Sequence, residues 1–576
     1  MPRRSAIRFT GGLLAASLLA CAPVSAQPGD PRVQRQSLYV PVRDGTRLAV
    51  NIYRPAAASS ARHPTIFAFT PYRARYFKDG KIEETFNQKI FGFRELVQAG
   101  YAVVIADVRG KGASFGARRG FLDRTEAMDG HDLVQWVARQ PWSDGKVGLT
   151  GCSYLGGTTM LIAGTRPPAV RAVFSAATDL DKYSFVRNGG ITAQFNTRPD
   201  EPLSVDAASV PVDGDAGGAL LRQAVAQHAA NTPMARLWAQ MPYRDSVSPL
   251  VGTRFWEEVG PYTHLPALRD PKVAWYFWSN WEDEPTEQMI LAAENIPGKL
   301  IVGPGSHCEA PSQFDIAGEQ RRFFDHYLRG TNNGIEREPR YTWWQENGAS
   351  GTLVRSNRLP GAGVARLPLY LSGGLILASR PSRPATTPFR VRYDLNTDAY
   401  FAFWPAPLTG YGPAWTSPPL AAPAVMQGYP IARIRAAIDR ADGILFAYVE
   451  DVAPDGKAKV ISHGRLAASH RKLSAPPYRR LDLPYHSGLR RDVTPMVPGV
   501  PADLAFSLSP RAYTFAAGHR IRVTLTGADP RQRNLAELKT DPAPVIDVLA
   551  GGAGGSRVDL PFLAAPRWQP ARTGGN

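Results

Sequence analysis

The chain has 576 residues, 44% hydrophobic and 20% charged, which at roughly 100 to 200 residues per domain predicts two or three globular domains with sizeable cores. Its 51 prolines and 53 glycines are spread along the whole length, which excludes a fibrous or low-complexity protein. The net charge of +17 comes from scattered pairs such as Arg321 with Arg322 and Arg479 with Arg480, without a long basic run, and so predicts a solvated basic surface and no nucleic-acid partner.

The first residues, MPRRSAIRFTGGLLAASLLACAPVSAQPGD, combine a basic start, an apolar run from Gly11 to Ala20 and small residues before Gln27. This pattern predicts a signal peptide over 1–26 and a periplasmic or secreted mature chain. A lipid anchor on Cys21 is the weaker alternative, because Leu19 fits poorly where a small residue is usual. No later segment reaches about 18 uninterrupted apolar residues, so no membrane-spanning segment is expected in the mature chain.

SLYVPVRDGTRLAVNIYRP alternates apolar and polar residues around Asp44-Gly45 and predicts a β-hairpin. Buried-strand patterns follow at TIFAF, YAVVIADV, KVGLTG and VRAVFSAA, with helical spacing between them in FGFRELVQAG and DGHDLVQWVARQ. Strands alternating with helices predict an α/β domain built on a mostly parallel sheet. The rhythm stops at 179–270, where GALLRQAVAQHAANTPMARLWAQ and its proline-rich neighbours predict a helical cap. It resumes at VAWYFW, GKLIVG and GEQRRFFDHYLRG, placing the α/β domain at 33–178 and 271–335. Beyond it, RLPLYLSG, ILFAYVEDV, RRLDLPY, ADLAFSLSP and HRIRVTLTG predict a β-sandwich of jelly-roll type over 336–576.

Within KVGLTGCSYLGGTT, an apolar strand runs into Ser153, with Gly151 before it, Gly156 and Gly157 after it and a helical run beyond. A sharp strand-to-helix turn of this kind exposes a nucleophilic hydroxyl and points the Tyr154 amide at a developing oxyanion. The spacing is G-x-S-x-x-G, with Leu155 where the common elbow has glycine, and read alone it also fits an ordinary turn. A serine needs a base and an orienting acid, expected in the chain order Ser, acid, His. His307 follows the strand GKLIVG and a Gly-Pro-Gly turn, and Asp283 follows the strand VAWYFW; Glu282 and Glu284 compete with Asp283 for the acid's role. His131 and His326 lie in helical patterns and Asp129 and Asp132 beside them, all read as structural.

FTPY, DVRGKGASFG, EAMDGHDLVQWVARQPWSDGKVG, GCSYLGG, NWEDE and GPGSH, in that chain order, resemble the successive motifs of the cocaine-esterase and X-prolyl dipeptidyl-peptidase group of serine hydrolases. That group includes α-amino-acid ester hydrolases and glutaryl acylases. The resemblance runs from about Leu38 to the C-terminus. It implies an α/β-hydrolase domain with a helical cap and a jelly-roll third domain, Ser153 as nucleophile, Asp283 as acid, His307 as base, and an oxyanion hole made by the Tyr154 amide with the Tyr72 hydroxyl. Gly305 departs from relatives that carry tryptophan there, which predicts a more open wall beside His307. The Asp107–Gly110 segment is expected to brace the sheet.

Together these readings predict a serine hydrolase that cleaves a small-molecule ester or amide through an acyl-enzyme, without metal or organic cofactor. An X-prolyl dipeptidyl aminopeptidase or α-amino-acid ester hydrolase is the alternative; it would need carboxylates for a free ammonium, for which Glu282, Glu284, Asp179 and Asp181 are loose candidates. A non-catalytic carbohydrate- or surface-binding protein on a hydrolase scaffold is the alternative of another class. Cys152 and Cys308, beside Ser153 and His307, read as two buried free thiols, with a bridge between them the second choice. Homo-oligomerisation stays open.

Overall fold

The computed structural model describes residues 30–56, 61–395, 402–532, 539–552 and 554–570. The expected signal peptide and Cys21 lie outside these residues. The hairpin around Asp44-Gly45 pairs strand β1 (Val33–Pro41) with β2 (Arg47–Pro55), Leu38 opposite Val50. The apolar runs then supply β3 (His63–Thr70), β4 (Ala102–Asp107), β5 (Ser143–Cys152), β6 (Val170–Ala176), β7 (Ala274–Asn280) and β8 (Lys299–Gly303). Their pairings order the sheet β1-β2-β4-β3-β5-β6-β7-β8, antiparallel as far as β4 and parallel from there onward. Every residue of β3 and β4 is buried, as a sheet covered on both faces requires.

Helices α1 (Phe93–Gln98), α2 (Arg124–Ala138), α3 (Tyr154–Gly164), α4 (Thr286–Asn295) and α5 (Ile316–Arg329) cover the sheet. Asp123 caps α2, its carboxylate accepting the Glu126 amide at 2.9 Å, and Asp315 caps α5 through the Gly318 amide at 2.9 Å. Helix α3 has no polar face: Tyr154 through Ala163 are all buried between α2 and the sheet. Between 182 and 268 the chain forms short helices, among them Ala219–Gln227 and Met234–Ala239, over a small core of Tyr183, Leu237, Trp238, Phe255 and Trp256.

Past α5 one more strand, Tyr341–Asn347, adds to the sheet parallel to β8, and the chain beyond it is mainly antiparallel β structure. Ile431–Ile438 pairs with Ala502–Ser507, and Ile444–Val452 lies between Ala458–Ala467 and Arg520–Thr526. A second large core, including Trp415, Met426, Ile434, Phe506 and Phe562, fills it. The predicted strand RRLDLPY is a correction: residues 479–485 form no strand. Leu481 and Asp482 both adopt positive φ, at 57° and 56°, which breaks the alternation a ladder needs. The flanking arginines are spent on the α/β domain instead: the Arg479 amide donates to Asn295 at 2.9 Å and the Arg480 guanidinium to Glu287 at 2.9 Å.

Buried ions join the parts. Arg511, whose side chain is 0% exposed, donates to Glu282 at 2.8 Å and to Glu346. Arg244 grips both oxygens of Asp181 at 2.8 Å, and the Tyr478 hydroxyl donates to the same carboxylate at 2.9 Å. Removing one member of such a group leaves an uncompensated buried charge. Arg511→Met is expected to lower stability by about 3 to 5 kcal/mol, measured as an earlier urea midpoint.

Candidate active site

Ser153 stands between the last residue of β5 and the first of α3 with φ 62° and ψ −125°, a conformation sparsely populated for any residue with a side chain. Two hydrogen bonds hold it: its amide donates to the Ala176 carbonyl at 3.0 Å, and its own carbonyl accepts from the Gly157 amide at 3.0 Å. The flanking glycines are needed for space. A Cβ on Gly151 would lie 2.4 Å from the carbonyl group of Leu155, and one on Gly156 would lie 2.3 Å from the Ala176 oxygen. The unusual spacing follows, since Gly156 is the residue that faces the neighbouring strand, while Leu155 packs its side chain into the core.

Asp283 lies three residues beyond β7 and His307 four beyond β8. His307 Nδ1 is 2.9 Å from each Asp283 carboxylate oxygen, so Nδ1–H donates to the acid and Nε2 is left as an acceptor. Glu282 and Glu284 are turned away, Glu282 onto Arg511 and Lys459 and Glu284 onto Arg465 and Arg531. Burial alone would push the imidazole pKa down, but the charge and hydrogen bond of Asp283, with a smaller contribution from Glu284, outweigh it and hold His307 above its ordinary value.

Tyr72 sits on the loop after β3, its amide donating to Thr70 Oγ1 at 3.0 Å. Asp107 braces this loop, accepting the amides of Ala74 at 2.6 Å and Ala113 at 2.9 Å. Tyr72 is 46% exposed while its hydroxyl faces the Ser153 side chain and the Tyr154 amide; enclosure of that hydroxyl raises the phenol's pKa against the hydrogen bond from Ser153. The Tyr154 side chain points the other way, its hydroxyl held by Glu126, by Arg118 and by the Leu122 amide at 3.2 Å. No sequence signal announces this anchor, because its members lie on different elements.

Ser153, His307, Tyr72 and Tyr154 line one cavity of about 720 Å³, with Asp283 behind His307. Sequence reasoning missed much of its wall, including Phe121, Phe185, Met234 and Phe403, with Lys111 and Lys182. Phe403, from the C-terminal β region, lies 4.4 Å from the His307 ring, centroid to centroid. Gly305 takes φ 98° and its carbonyl accepts the Glu282 amide at 3.0 Å. The residues read as structural serve that way: Arg109 pairs with Asp129, Arg43 with Asp132, and the ring nitrogens of His131 and His326 bond Thr165 and Thr331.

The cysteines are a correction. Cys152 and Cys308 form a disulfide with a Cα–Cα distance of 6.0 Å, because the loop carrying His307 arches back to the end of β5. It closes a stretch of 156 residues, which in the chain-entropy view removes about 5 kcal/mol from the unfolded state. Among the described residues no group of histidine, cysteine and carboxylate side chains is arranged to hold a metal ion, and no helix is long and apolar enough to cross a membrane.

Residues 44–309 match the X-Pro dipeptidyl-peptidase (S15 family) model, and 333–535 match the X-Pro dipeptidyl-peptidase C-terminal non-catalytic domain. A Mycobacterium bovis protein whose name provisionally designates it a serine esterase is 30% identical over 96% of this chain and 99% of its own length. The chain belongs to the X-Pro dipeptidyl-peptidase (S15) family of hydrolases. The cocaine esterase of a Rhodococcus species is 24% identical, covering 86% of this chain and 90% of its own. A CocE/NonD family hydrolase structure from Staphylococcus aureus superposes with a TM-score of 0.71 at 17% identity, covering 92% of this chain and 93% of that one. This S15 protein is therefore a hydrolase of the serine esterase and peptidase group, on an α/β-hydrolase fold with a C-terminal non-catalytic β domain.

With Asp283 as its dominant charge partner, the His307 imidazole is expected to titrate above 6.5, followed by proton NMR. In Asp283→Asn the favourable charge is gone and burial remains, so the titration should move to lower pH.

Proposed function

We propose that this S15 hydrolase cleaves an ester or amide through an acyl-enzyme, with Ser153 as nucleophile, His307 as general base and acid, Asp283 as its orienting partner, and Tyr72 with the Tyr154 amide as oxyanion donors. The observation that carries the reading is the meeting of a strained serine elbow and a carboxylate-bonded imidazole on one cavity wall. Ser153 attacks the carbonyl as His307 Nε2 takes its proton; Asp283 stabilises the imidazolium. The carbonyl oxygen gains charge between the Tyr72 hydroxyl and the Tyr154 amide, and the leaving group departs with the proton from His307. Water repeats the sequence on the acyl-enzyme.

Charge pairing favours substrates without a free ammonium near the scissile bond. Four candidate carboxylates already have a cationic partner: Asp179 has Lys182, Asp181 has Arg244, Glu282 has Arg511 and Glu284 has Arg465. On the cavity wall, Glu201 and Asp206 are both paired with Lys111, while Asp200 accepts the Met234 amide at 3.1 Å and Asp179 keeps Oδ2 without a hydrogen-bond partner. The proposal therefore places this chain with esterases of neutral acyl groups, as the name of its mycobacterial relative also suggests. Export through the leader at 1–26 is part of the proposal and is checked by N-terminal sequencing of the mature chain.

Ser153→Ala should abolish fluorophosphonate labelling and burst release of an aryl alcohol; full activity in that variant ends the reading, and an unlabelled wild type favours a non-catalytic binding role. Tyr72→Phe should lower kcat by about 10² to 10³ with labelling retained. An N-acylated amino-acid ester should be turned over faster than its free-amine counterpart at equal side chain, and the reverse order supports the aminopeptidase alternative.

A further inference from the structure

His307 has to reach the nucleophile across the ends of two strands. β5 and β8 are separated in the sheet by β6 and β7, so at about 4.8 Å per strand their axes lie roughly 14 Å apart. Residues 304–315, between β8 and α5, form no helix or strand and arch back over that gap. The hydrogen bonds of the segment around His307 tie it to the last residue of β7 and to the chain just past it. Asn280 Nδ2 donates to the carbonyls of Ser306 and Glu309 at 2.7 Å each, the Glu282 amide donates to Gly305, and His307 donates to Asp283.

Its covalent tie to the nucleophile's strand is the Cys152–Cys308 bridge, made by the residue just before Ser153 and the residue just after His307. Two unfavourable backbones lie at that bridge, Cys308 itself at φ 54° and Ser153, next to Cys152, at φ 62°, and a conformation of this kind persists only where the surroundings hold it. Both cysteines line the catalytic cavity, so a small dithiol can reach them.

We propose that Cys152 and Cys308 are positioning residues whose disulfide holds the His307 imidazole at reacting distance from the Ser153 hydroxyl, so that turnover depends on the bridge being closed. The inference rests on the reading of Ser153 and His307 as nucleophile and base. Its cause is geometric, since a displacement of about 1 Å between reacting groups lowers rate on the order of 10²-fold.

The test is titration of the native protein with dithiothreitol until two thiols appear. One reagent thiolate attacks a bridge sulfur and releases the other cysteine as a thiolate, which takes up a proton. The second reagent thiol then closes the reagent into its cyclic disulfide and frees the remaining cysteine, so two electrons pass from reagent to bridge. Aryl-ester turnover by the reduced form should show kcat lower by about 10- to 100-fold with KM within about threefold, far-UV circular dichroism unchanged, and recovery on reoxidation. The double variant Cys152→Ala/Cys308→Ala should match the reduced form and ignore dithiothreitol, and it decides the matter if the bridge resists reduction.

A reduced form or double variant that keeps kcat within twofold overturns the inference, as does a native protein with two free thiols before reduction. Fluorophosphonate labelling of the oxidised wild type separates the two readings. Without labelling the nucleophile assignment fails; with labelling and no effect of reduction, the role of the bridge alone fails.

Discussion

The contact on which the site depends is the approach of helix α3 to strand β6, where Gly156 sits so close to the Ala176 carbonyl that a single added carbon would overlap it. Because the helix begins that near the sheet, the chain leaving β5 has to reverse in one residue, and Ser153 takes the positive φ that the reversal requires. The Ala176 carbonyl then accepts the Ser153 amide and fixes the bend. Burial of all of α3 from Tyr154 to Ala163 makes the arrangement costly to undo. Exposure of one hydroxyl is thus a result of core packing, with the local glycines supplying the clearance.

Charge is arranged around the same point. Asp283 lies between two glutamates in the turn that joins β7 to α4, and there both neighbours leave toward the C-terminal β region while Asp283 turns inward to His307. Arg511, Arg465 and Arg531 receive those neighbours. The C-terminal domain, termed non-catalytic in its family, therefore takes up the negative charge on either side of the acid that orients His307, and lays Phe403 over the imidazole. The basic excess of the sequence finds part of its use here, in buried arginines at the junction.

Much of this was legible in the chain. Period-two and continuous apolar runs marked the hairpin and the parallel strands, because burial on one or both faces writes itself directly into residue order. GCSYLGG announced its turn since a tight bend needs small residues at fixed offsets. RRLDLPY misled for a related reason: its alternation looks like a strand, yet the apolar residues serve an irregular connection whose arginines bind Asn295 and Glu287 across the junction. The pairing of Cys152 with Cys308 left no trace in spacing, because it depends on how a loop folds back over two intervening strands.

What the sequence determined by itself was the set of elements, their order and the residue types poised at strand ends, all consequences of local propensity and of which side chains avoid water. Tertiary structure alone decided which of three adjacent acids meets His307, which aromatic rings enclose the cavity, and that two cysteines 156 positions apart are joined. Those outcomes are set by distances between elements far apart in the chain, and one-dimensional order carries no direct record of such distances.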